Sequence, residues 1–256
     1  MHLYFSIFGH MIPSYGLMIT LGVILANLIG FALIKRNHHD LNDFIIIEAY
    51  ILGGAFIGAK LLYLIVTFND IDWKQIFNFE YFNSLMQGGF VFYGGLIGGL
   101  LFALLAGKLH KLPVKEYMIA YIFLIPFVHG FGRIGCFMAG CCYGIPYDGI
   151  GAVIFPENSY ALSGISLFPV QLVEAFVLFI ISLLILYLQL LRKSKYTVET
   201  YFILYGIVRF VLEYFRYDDF RGKFGIFTTS QWIGIMLSVF ASVMMVHSIY
   251  KNRRVI

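Results

Sequence analysis

Long apolar segments separated by short polar stretches run through this chain. A transmembrane α-helix needs about 20 mostly apolar residues to cross the roughly 30 Å hydrocarbon core of a bilayer. Seven segments approach that length, and the third of them is short. Their predicted spans are 14–34, 44–67, 90–107, 117–138, 170–191, 199–216 and 229–249. The pattern therefore predicts an all-α, polytopic membrane protein with about seven transmembrane helices.

The composition also indicates a membrane protein and argues against a soluble domain. Of the 256 residues, 60 % are hydrophobic and 12 % are charged, whereas soluble domains carry roughly 25 % charged residues. The net charge of +4 is spread over separate loops, so binding of nucleic acid is not expected. No linker, low-complexity tract or repeat separates the apolar segments, and a single integral-membrane domain is predicted over residues 1–256.

Lysines and arginines are distributed unequally between alternate loops. The positive-inside rule assigns the richer loops to the cytoplasm. The loops after the first, third and fifth spans, together with the C-terminal tail, carry eleven of these residues. The opposite loops carry only Lys74, Arg221 and Lys223. The N-terminus is therefore predicted outside and the C-terminus inside the cell (cytoplasmic) membrane.

With this orientation, unusual polar side chains from most of the spans collect near the outer face, and Glu48, near the cytoplasmic end of the second span, is the exception. A charged residue at the centre of a bilayer costs about 2.5–3.5 kcal/mol on insertion scales, so such residues are candidates for function. The polar residues near the outer ends of the spans are Tyr15, Lys60, Tyr93, Arg133, Glu174, Arg209, Arg216 and Gln231. A polar cavity open to the outer leaflet is the simplest explanation.

Arg133 and Arg209, together with Lys60, form a candidate anion site. Arginine is planar and can bind a phosphate through two parallel hydrogen bonds, and in the outer leaflet that phosphate would belong to a phospholipid headgroup. Alternatively, Arg209 and Glu213 are four residues apart on one helix face and could neutralise each other. His129 lies one turn before Arg133, where it could orient the ligand or face lipid headgroups.

Glycines recur in two of the apolar segments. In FYGGLIGGL, residues 92–100, they suit a tight helix contact, as small residues do in membranes. In HGFGRIGCFMAGCCYG, residues 129–144, Gly132, Gly135 and Gly140 could pack in the same way. They could instead let backbone N–H groups approach a phosphate. Both roles stay open for Gly135.

All three cysteines of the chain, Cys136, Cys141 and Cys142, lie in the second of these segments. They could be small apolar packing residues, a disulfide on an oxidising outer side, or a metal site with His129. The C-x4-C-C spacing is not a standard zinc pattern. No metal site is therefore predicted.

Six segments, in order along nearly the whole chain, resemble the prolipoprotein diacylglyceryl transferase family, the membrane enzymes that begin bacterial lipoprotein maturation. The segments are PSYGLM (13–18), GAFIGAKLLY (54–63), GGLIG (94–98), GRIGCFMAG (132–140), FPVQLVEA (168–175) and LYGIVRFVLEYFR (204–216). The resemblance implies transfer of a diacylglyceryl group from phosphatidylglycerol, or a related anionic phospholipid, to the lipobox cysteine thiol of a prolipoprotein. The reaction would take place at the outer face of the membrane, with the prolipoprotein signal peptide as partner and no cofactor.

The resemblance also implies roles for individual residues. Arg133 and Arg209 would hold the phosphate, and Tyr15 or Tyr205 would hydrogen-bond the glycerol. The predicted catalytic residues are Tyr15, Tyr93, His129, Arg133 and Arg209. The predicted substrate-binding residues are Lys60, Arg133, Gly135, Gln171, Glu174, Tyr205, Arg209 and Glu213.

Several positions depart from the family pattern. Tyr93 stands where the family has its essential histidine, and Phe168 replaces the histidine of its His-Pro segment. Cys136, Ala139 and Cys141 replace two asparagines and a glutamate. Lys60 stands where an arginine is usual.

These departures leave other functions open. A phenol is a poor base at neutral pH, and His129 is the nearby histidine that could compensate for Tyr93. One alternative is a paralogous lipid-group transferase with a different acceptor. A second is a thiol oxidoreductase that uses Cys136 with Cys141 or Cys142. A third is a non-catalytic phospholipid-binding protein.

Overall fold

The computed structural model describes residues 3–7, 9–87, 89–217 and 222–253. Arg221 and Arg254, which entered the charge comparison between loops, lie outside the described residues. The chain divides into two compact units. The first unit consists of Met1–Ala32 and Met118–Ile256, and the second of Leu33–Tyr117.

Within the described ranges the structure has nine α-helices, labelled α1 to α9. They are Ser14–Asn37, Leu41–Val66, Phe79–Gln87, Phe92–His110, Val114–Tyr121, Leu124–Ala139, Val170–Leu190, Thr197–Leu212 and Thr229–Arg253. Short 3-10 turns cover Trp73–Gln75 and Glu213–Phe215. Three antiparallel hairpins pair Tyr4–Ile7 (β1) with His10–Pro13 (β2), Val153–Ile154 (β3) with Ser166–Leu167 (β4), and Lys223–Phe224 (β5) with Phe227–Thr228 (β6).

Five of these helices, α1, α2, α4, α7 and α9, are long and apolar enough to cross a membrane. The pair α5 and α6 bends by 53° and would add a sixth span if it acts as one broken helix. The all-α polytopic prediction is confirmed, but the count of seven is not. The sixth predicted span, 199–216, coincides with α8, which has 16 residues and passes into a 3-10 turn.

The break between α5 and α6 has a cause in the sequence. Pro126 has no N–H to donate, and the carbonyl it would otherwise pair with in a continuous helix belongs to Ile122. A proline ring also clashes with that carbonyl. The Ile122 oxygen instead accepts a shorter-range bond of 3.1 Å from the Ile125 N–H. The proline therefore falls in the first turn of α6, where it is tolerated.

In the second unit, glycines bring α2 and α4 into backbone contact. A Cβ placed on Gly58 would lie 2.3 Å from the carbonyl oxygen of Gly94. One placed on Gly98 would lie 2.2 Å from the oxygen of Gly54. These distances leave no room for a side chain, so the tight helix contact predicted for residues 92–100 is confirmed.

Replacing Gly58 by alanine should therefore destabilise the second unit. We expect the free energy of unfolding to fall by about 1–3 kcal/mol, since overpacking a close contact forces the backbones apart. Gly53→Ala on the same helix is the matched control, because a Cβ there meets nothing within 4 Å. Denaturant unfolding in detergent micelles measures both changes. Equal stabilities for the two variants would contradict this packing.

In the first unit, hydroxyl groups and glycines tie the helices together. Ser182 on α7 donates a 2.8 Å hydrogen bond to the carbonyl of Phe123, and Thr197 at the start of α8 donates a 2.7 Å bond to that of Ile119. A Cβ on Gly206 of α8 would lie 2.5 Å from the carbonyl oxygen of Gly234 on α9. These contacts hold together the helices of the first unit, among them α7 and α8, which carry Glu174 and Arg209 of the candidate site.

A small apolar cluster orders the long connection between α6 and α7. Phe155, Ala161 and Leu167 are buried together, and Phe137 and Tyr143 pack against them. Phe137 belongs to α6 and Leu167 to β4. The cluster thereby holds the chain that follows α6 against the end of that helix.

Candidate functional site

Glu174 on α7 lies at the centre of a buried ion network. One carboxylate oxygen is 3.0 Å from Nη2 of Arg133 on α6. The other is 3.9 Å from Nη1 of Arg209 on α8 and 3.9 Å from Nη1 of Arg216. Nη2 of Arg209 is also 2.9 Å from the carboxylate of Glu213. These five residues are referred to below as the arginine–glutamate network.

The network carries more positive than negative charge. Three arginines face two glutamates, which leaves one positive charge in excess, and the Glu174 side chain is only 1 % exposed. Nε of Arg133 and Nη1 of Arg209 are buried and donate no hydrogen bond within the described part of the chain. Buried donors of this kind normally have an acceptor. An anionic oxygen ligand would supply both the acceptor and the missing charge.

Polar residues at the start of α9 support the network. Ser230 accepts a 3.2 Å hydrogen bond from Nη2 of Arg209, and Thr228 donates a 3.0 Å bond to the carboxylate of Glu213. The backbone N–H groups of Thr228 and Gln231 donate to each other's side chains at 3.0 and 3.2 Å. This reciprocal arrangement is a capping box. It fixes the helix start that holds Arg209 and Glu213 in place.

The end of α6 is shaped by two left-handed residues. Gly140 has φ of +76° and ends the helix, and its N–H points back to the carbonyl oxygens of Cys136 and Phe137. Cys142 has φ of +57°, an uncommon conformation for a residue that is not glycine. Buried Gln171 of α7 donates a 2.9 Å hydrogen bond to the carbonyl of Cys141 between them. In this structure Gln171 therefore positions the segment that follows α6.

His129, Tyr205 and Tyr15 lie in the same unit as the network. The His129 ring meets the Tyr205 ring edge to face, with 5.5 Å between centroids. Its electrostatic neighbours are Arg133, Glu174 and Arg209. Tyr15 is an electrostatic neighbour of Arg133. The structure thus brings these three predicted residues to the arginines, while their catalytic and binding roles stay predictions.

Gly135 has a clear packing function. A Cβ on Gly135 would lie 3.0 Å from Cα of Tyr15 and 3.2 Å from Cβ of Met18. The glycine therefore lets α6 approach α1 closely. Of the two roles left open by the sequence, the structure shows helix contact, and the role in substrate binding stays a prediction.

Lys60 and Tyr93 belong to the second unit. Nζ of Lys60 donates to the carbonyls of Leu85 and Gly89 and lies 4.8 Å from the centroid of the Tyr63 ring. The Tyr93 hydroxyl oxygen is buried and has no hydrogen-bond partner among the described residues. Their predicted place in one site with Arg133 stays a prediction.

Sequence reasoning placed Arg216 near the outer end of its span without giving it a role, and it left Thr228 and Ser230 out of the site. Arg216 follows Arg209 by seven residues, or about two helical turns, and that spacing could have placed it on the same face. The capping-box pattern T-x-x-Q, residues 228–231, also precedes an apolar run and could have indicated an ordered helix start. No comparable signal marks Ser230, whose contact with Arg209 depends on how α8 and α9 pack.

The helices and the network together define a polytopic membrane protein with a buried, positively charged polar site. The family model for prolipoprotein diacylglyceryl transferases matches residues 2–247. The chain belongs to that family, and the resemblance seen in its sequence motifs is confirmed.

Curated relatives of similar length carry the corresponding name. The chain is 36 % identical over 238 residues to phosphatidylglycerol–prolipoprotein diacylglyceryl transferase 2 of Clostridium perfringens, covering 91 % of this chain and 90 % of that protein. It is 36 % identical over 233 residues to the transferase of Clostridium tetani, with 90 % and 91 % covered. The transferase of Campylobacter jejuni strain 81-176 is 30 % identical over 263 residues, with 98 % and 94 % covered.

Proposed function

We propose that this protein transfers a diacylglyceryl group from phosphatidylglycerol to the lipobox cysteine thiol of a prolipoprotein. The observation that carries the proposal is the arginine–glutamate network, which holds one excess positive charge in an otherwise apolar protein. A phosphatidylglycerol headgroup carries one negative charge on its phosphate. The names of the relatives supply the reaction, and the network supplies a site whose charge fits the donor.

In the proposed reaction the sulfur of the acceptor attacks the glyceryl carbon that bears the phosphate ester. The acceptor thiol loses its proton to water, a carbon–sulfur bond forms, the carbon–oxygen bond breaks, and glycerol phosphate leaves with the bonding electron pair. Arg133 and Arg209 stabilise the negative charge that develops on the phosphate. Tyr15 or Tyr205 hydrogen-bonds the glycerol, and His129 orients the ligand beside Arg133.

We further propose that the two units act as one membrane domain with its site facing the outer side. The family match runs from residue 2 to residue 247 and so includes both units. The excess of lysine and arginine in alternate loops supports the orientation. On this side the enzyme meets both the outer-leaflet donor and a translocated signal peptide.

Complementation tests the proposal. A bacterial strain depleted of its own diacylglyceryl transferase is supplied with the wild-type chain or with Arg133→Ala, and lipoprotein masses are measured. Restored lipidation with the wild-type chain alone is the expected result. Correctly inserted wild-type protein that forms no thioether would contradict the proposal and favour the paralogue with a different acceptor.

Tyr93→Phe should lower transfer by about 10-fold without lowering stability. Among the described residues the hydroxyl has no hydrogen-bond partner, so the substitution breaks no hydrogen bond that they make. A hydrogen bond to a charged group of the bound substrate is worth about 1.5 kcal/mol or more. Tyr50→Phe is the control. Unlike the Tyr93 hydroxyl, the Tyr50 hydroxyl has a hydrogen-bond partner, Nε2 of His110 at 3.0 Å. Initial rates and denaturant unfolding are measured for both. Unchanged transfer by Tyr93→Phe would remove this residue from the site.

A further inference from the structure

The three cysteines form a cluster beside the arginine–glutamate network. Their sulfur atoms all lie within 4.8 Å of one another, and none is in a disulfide. Cys136 is buried, while Cys141 and Cys142 are half-buried. In the described part of the chain, no histidine, carboxylate or further cysteine joins the group. The cluster therefore offers three sulfur ligands, one fewer than tetrahedral coordination requires.

The backbone is shaped to bring these thiols together. Cys136 is in the last turn of α6, and the Cys141 N–H donates a 3.1 Å hydrogen bond to the Cys136 carbonyl. The left-handed conformation of Cys142 turns its side chain back towards the group. Such a conformation costs roughly 1–2 kcal/mol for a residue other than glycine. Gln171, which is only 1 % exposed, holds the Cys141 carbonyl at 2.9 Å.

Two arginines of the arginine–glutamate network lie near the cluster. Arg133 and Arg216 are electrostatic neighbours of Cys142. The cluster also lies at the C-terminal end of α6, where the helix dipole favours a cation.

We propose that Cys136, Cys141 and Cys142 bind one Zn²⁺ ion as thiolates and that the fourth position of this ion binds the acceptor thiol. Zinc prefers tetrahedral coordination by sulfur and nitrogen at about 2.3 Å for sulfur, and sites with three protein ligands keep the fourth position for substrate. Tetrahedral geometry at that distance separates the sulfurs by about 3.8 Å, so small rotations of the side chains complete the site.

The inference rests on the proposed function and explains how the acceptor thiol becomes a thiolate. Thioether formation needs a thiolate, because the thiol is a weak nucleophile. Tyr93 carries a phenol, which is a poor base at neutral pH. Binding to zinc removes the thiol proton to solvent. The bound sulfur then forms the carbon–sulfur bond while glycerol phosphate leaves, and the zinc ion keeps its charge throughout.

Cobalt substitution tests the proposed ligation directly. Full-length protein in phosphatidylglycerol nanodiscs is reduced and loaded with Co²⁺, and the sulfur-to-cobalt charge-transfer absorption is measured. We expect one ion to bind per chain. When a lipobox peptide is added, its thiolate becomes the fourth sulfur ligand, and the charge-transfer absorption should rise. A peptide with serine in place of its cysteine should leave the spectrum unchanged. The triple variant C136S/C141S/C142S should bind no Co²⁺ by this measure.

Metal removal from the wild-type protein avoids any effect of substitution on folding. A free thiol with a pKa of about 8.5 is only about 3 % ionised at pH 7, so removing zinc should lower transfer at least about 10-fold. The residual rate should rise with pH towards pH 8.5, whereas the zinc-loaded rate should change little over that range. Adding Zn²⁺ should restore the original rate and its pH profile.

Each of the following results would overturn the inference: no bound metal, a cobalt spectrum that the thiol peptide does not change, or a disulfide among the three cysteines in protein taken directly from membranes. Transfer that survives metal removal would also overturn it and would leave the proposed function standing. Conversely, the cobalt spectrum could respond to the peptide while no thioether forms under any condition. That result would support thiol binding by the metal and contradict the proposed transfer.

Discussion

Glu174→Gln is expected to lower the free energy of unfolding by about 3–5 kcal/mol and to reduce transfer to background. Glu174 is almost fully buried and contacts Arg133, Arg209 and Arg216. Removing one partner from a buried ion network leaves uncompensated charge, which is far more costly than losing a surface pair. Denaturant unfolding in micelles gives the stability, and lipidation of a lipobox peptide gives the activity.

Glu157→Gln is the matched control for this experiment, since Glu157 belongs to the same unit and is exposed. Exposed substitutions usually change stability by less than about 0.5 kcal/mol. Glu174→Asp keeps the charge and should retain part of the stability. If Glu174→Gln were as stable and active as Glu157→Gln, the network would not hold the site together.

The second large effect is expected for Arg209. Arg209→Ala should reduce transfer by about 10²–10³-fold, the usual effect of removing one donor that stabilises charge in a transition state. The rate at saturating phosphatidylglycerol should fall as well as the apparent affinity, because the phosphate gains charge as glycerol phosphate leaves. Arg209→Lys should recover only part of the rate, since lysine keeps the charge without the forked geometry.

Arg192→Ala is the control, because Arg192 is exposed in the same unit. It should leave transfer within about twofold, as expected for an exposed charge that is largely screened by solvent. Measured KM and kcat values for the three variants separate loss of donor binding from loss of transition-state stabilisation. Full activity of Arg209→Ala would exclude Arg209 from phosphate binding.

The apolar pattern predicted the helices well because burial in lipid requires long uninterrupted apolar runs. It did not separate α5 from α6, since the residues around the break are themselves apolar. The signal was Pro126, which disrupts the hydrogen bond to Ile122. The pattern also overestimated the length of α8, which leaves the α-helical conformation at Glu213.

The site was predictable where its residues are close together in the sequence. Arg209 and Glu213 are four residues apart, and the ion pair that this spacing indicated is confirmed at 2.9 Å. Glu174 lies on a different helix from all three arginines, so its central position depends on tertiary packing. The meeting of the three thiols depends on the left-handed backbone at Cys142, which the sequence does not indicate at a cysteine.

The most direct test of the central proposal is the mass of the product formed by purified components. Wild-type protein in phosphatidylglycerol liposomes is incubated with a lipobox peptide, and the peptide mass and released glycerol phosphate are measured together. The account predicts one diacylglyceryl group on the cysteine sulfur for each glycerol phosphate released, and no product from the serine peptide. Folded protein that binds phosphatidylglycerol yet yields neither thioether nor glycerol phosphate would contradict it.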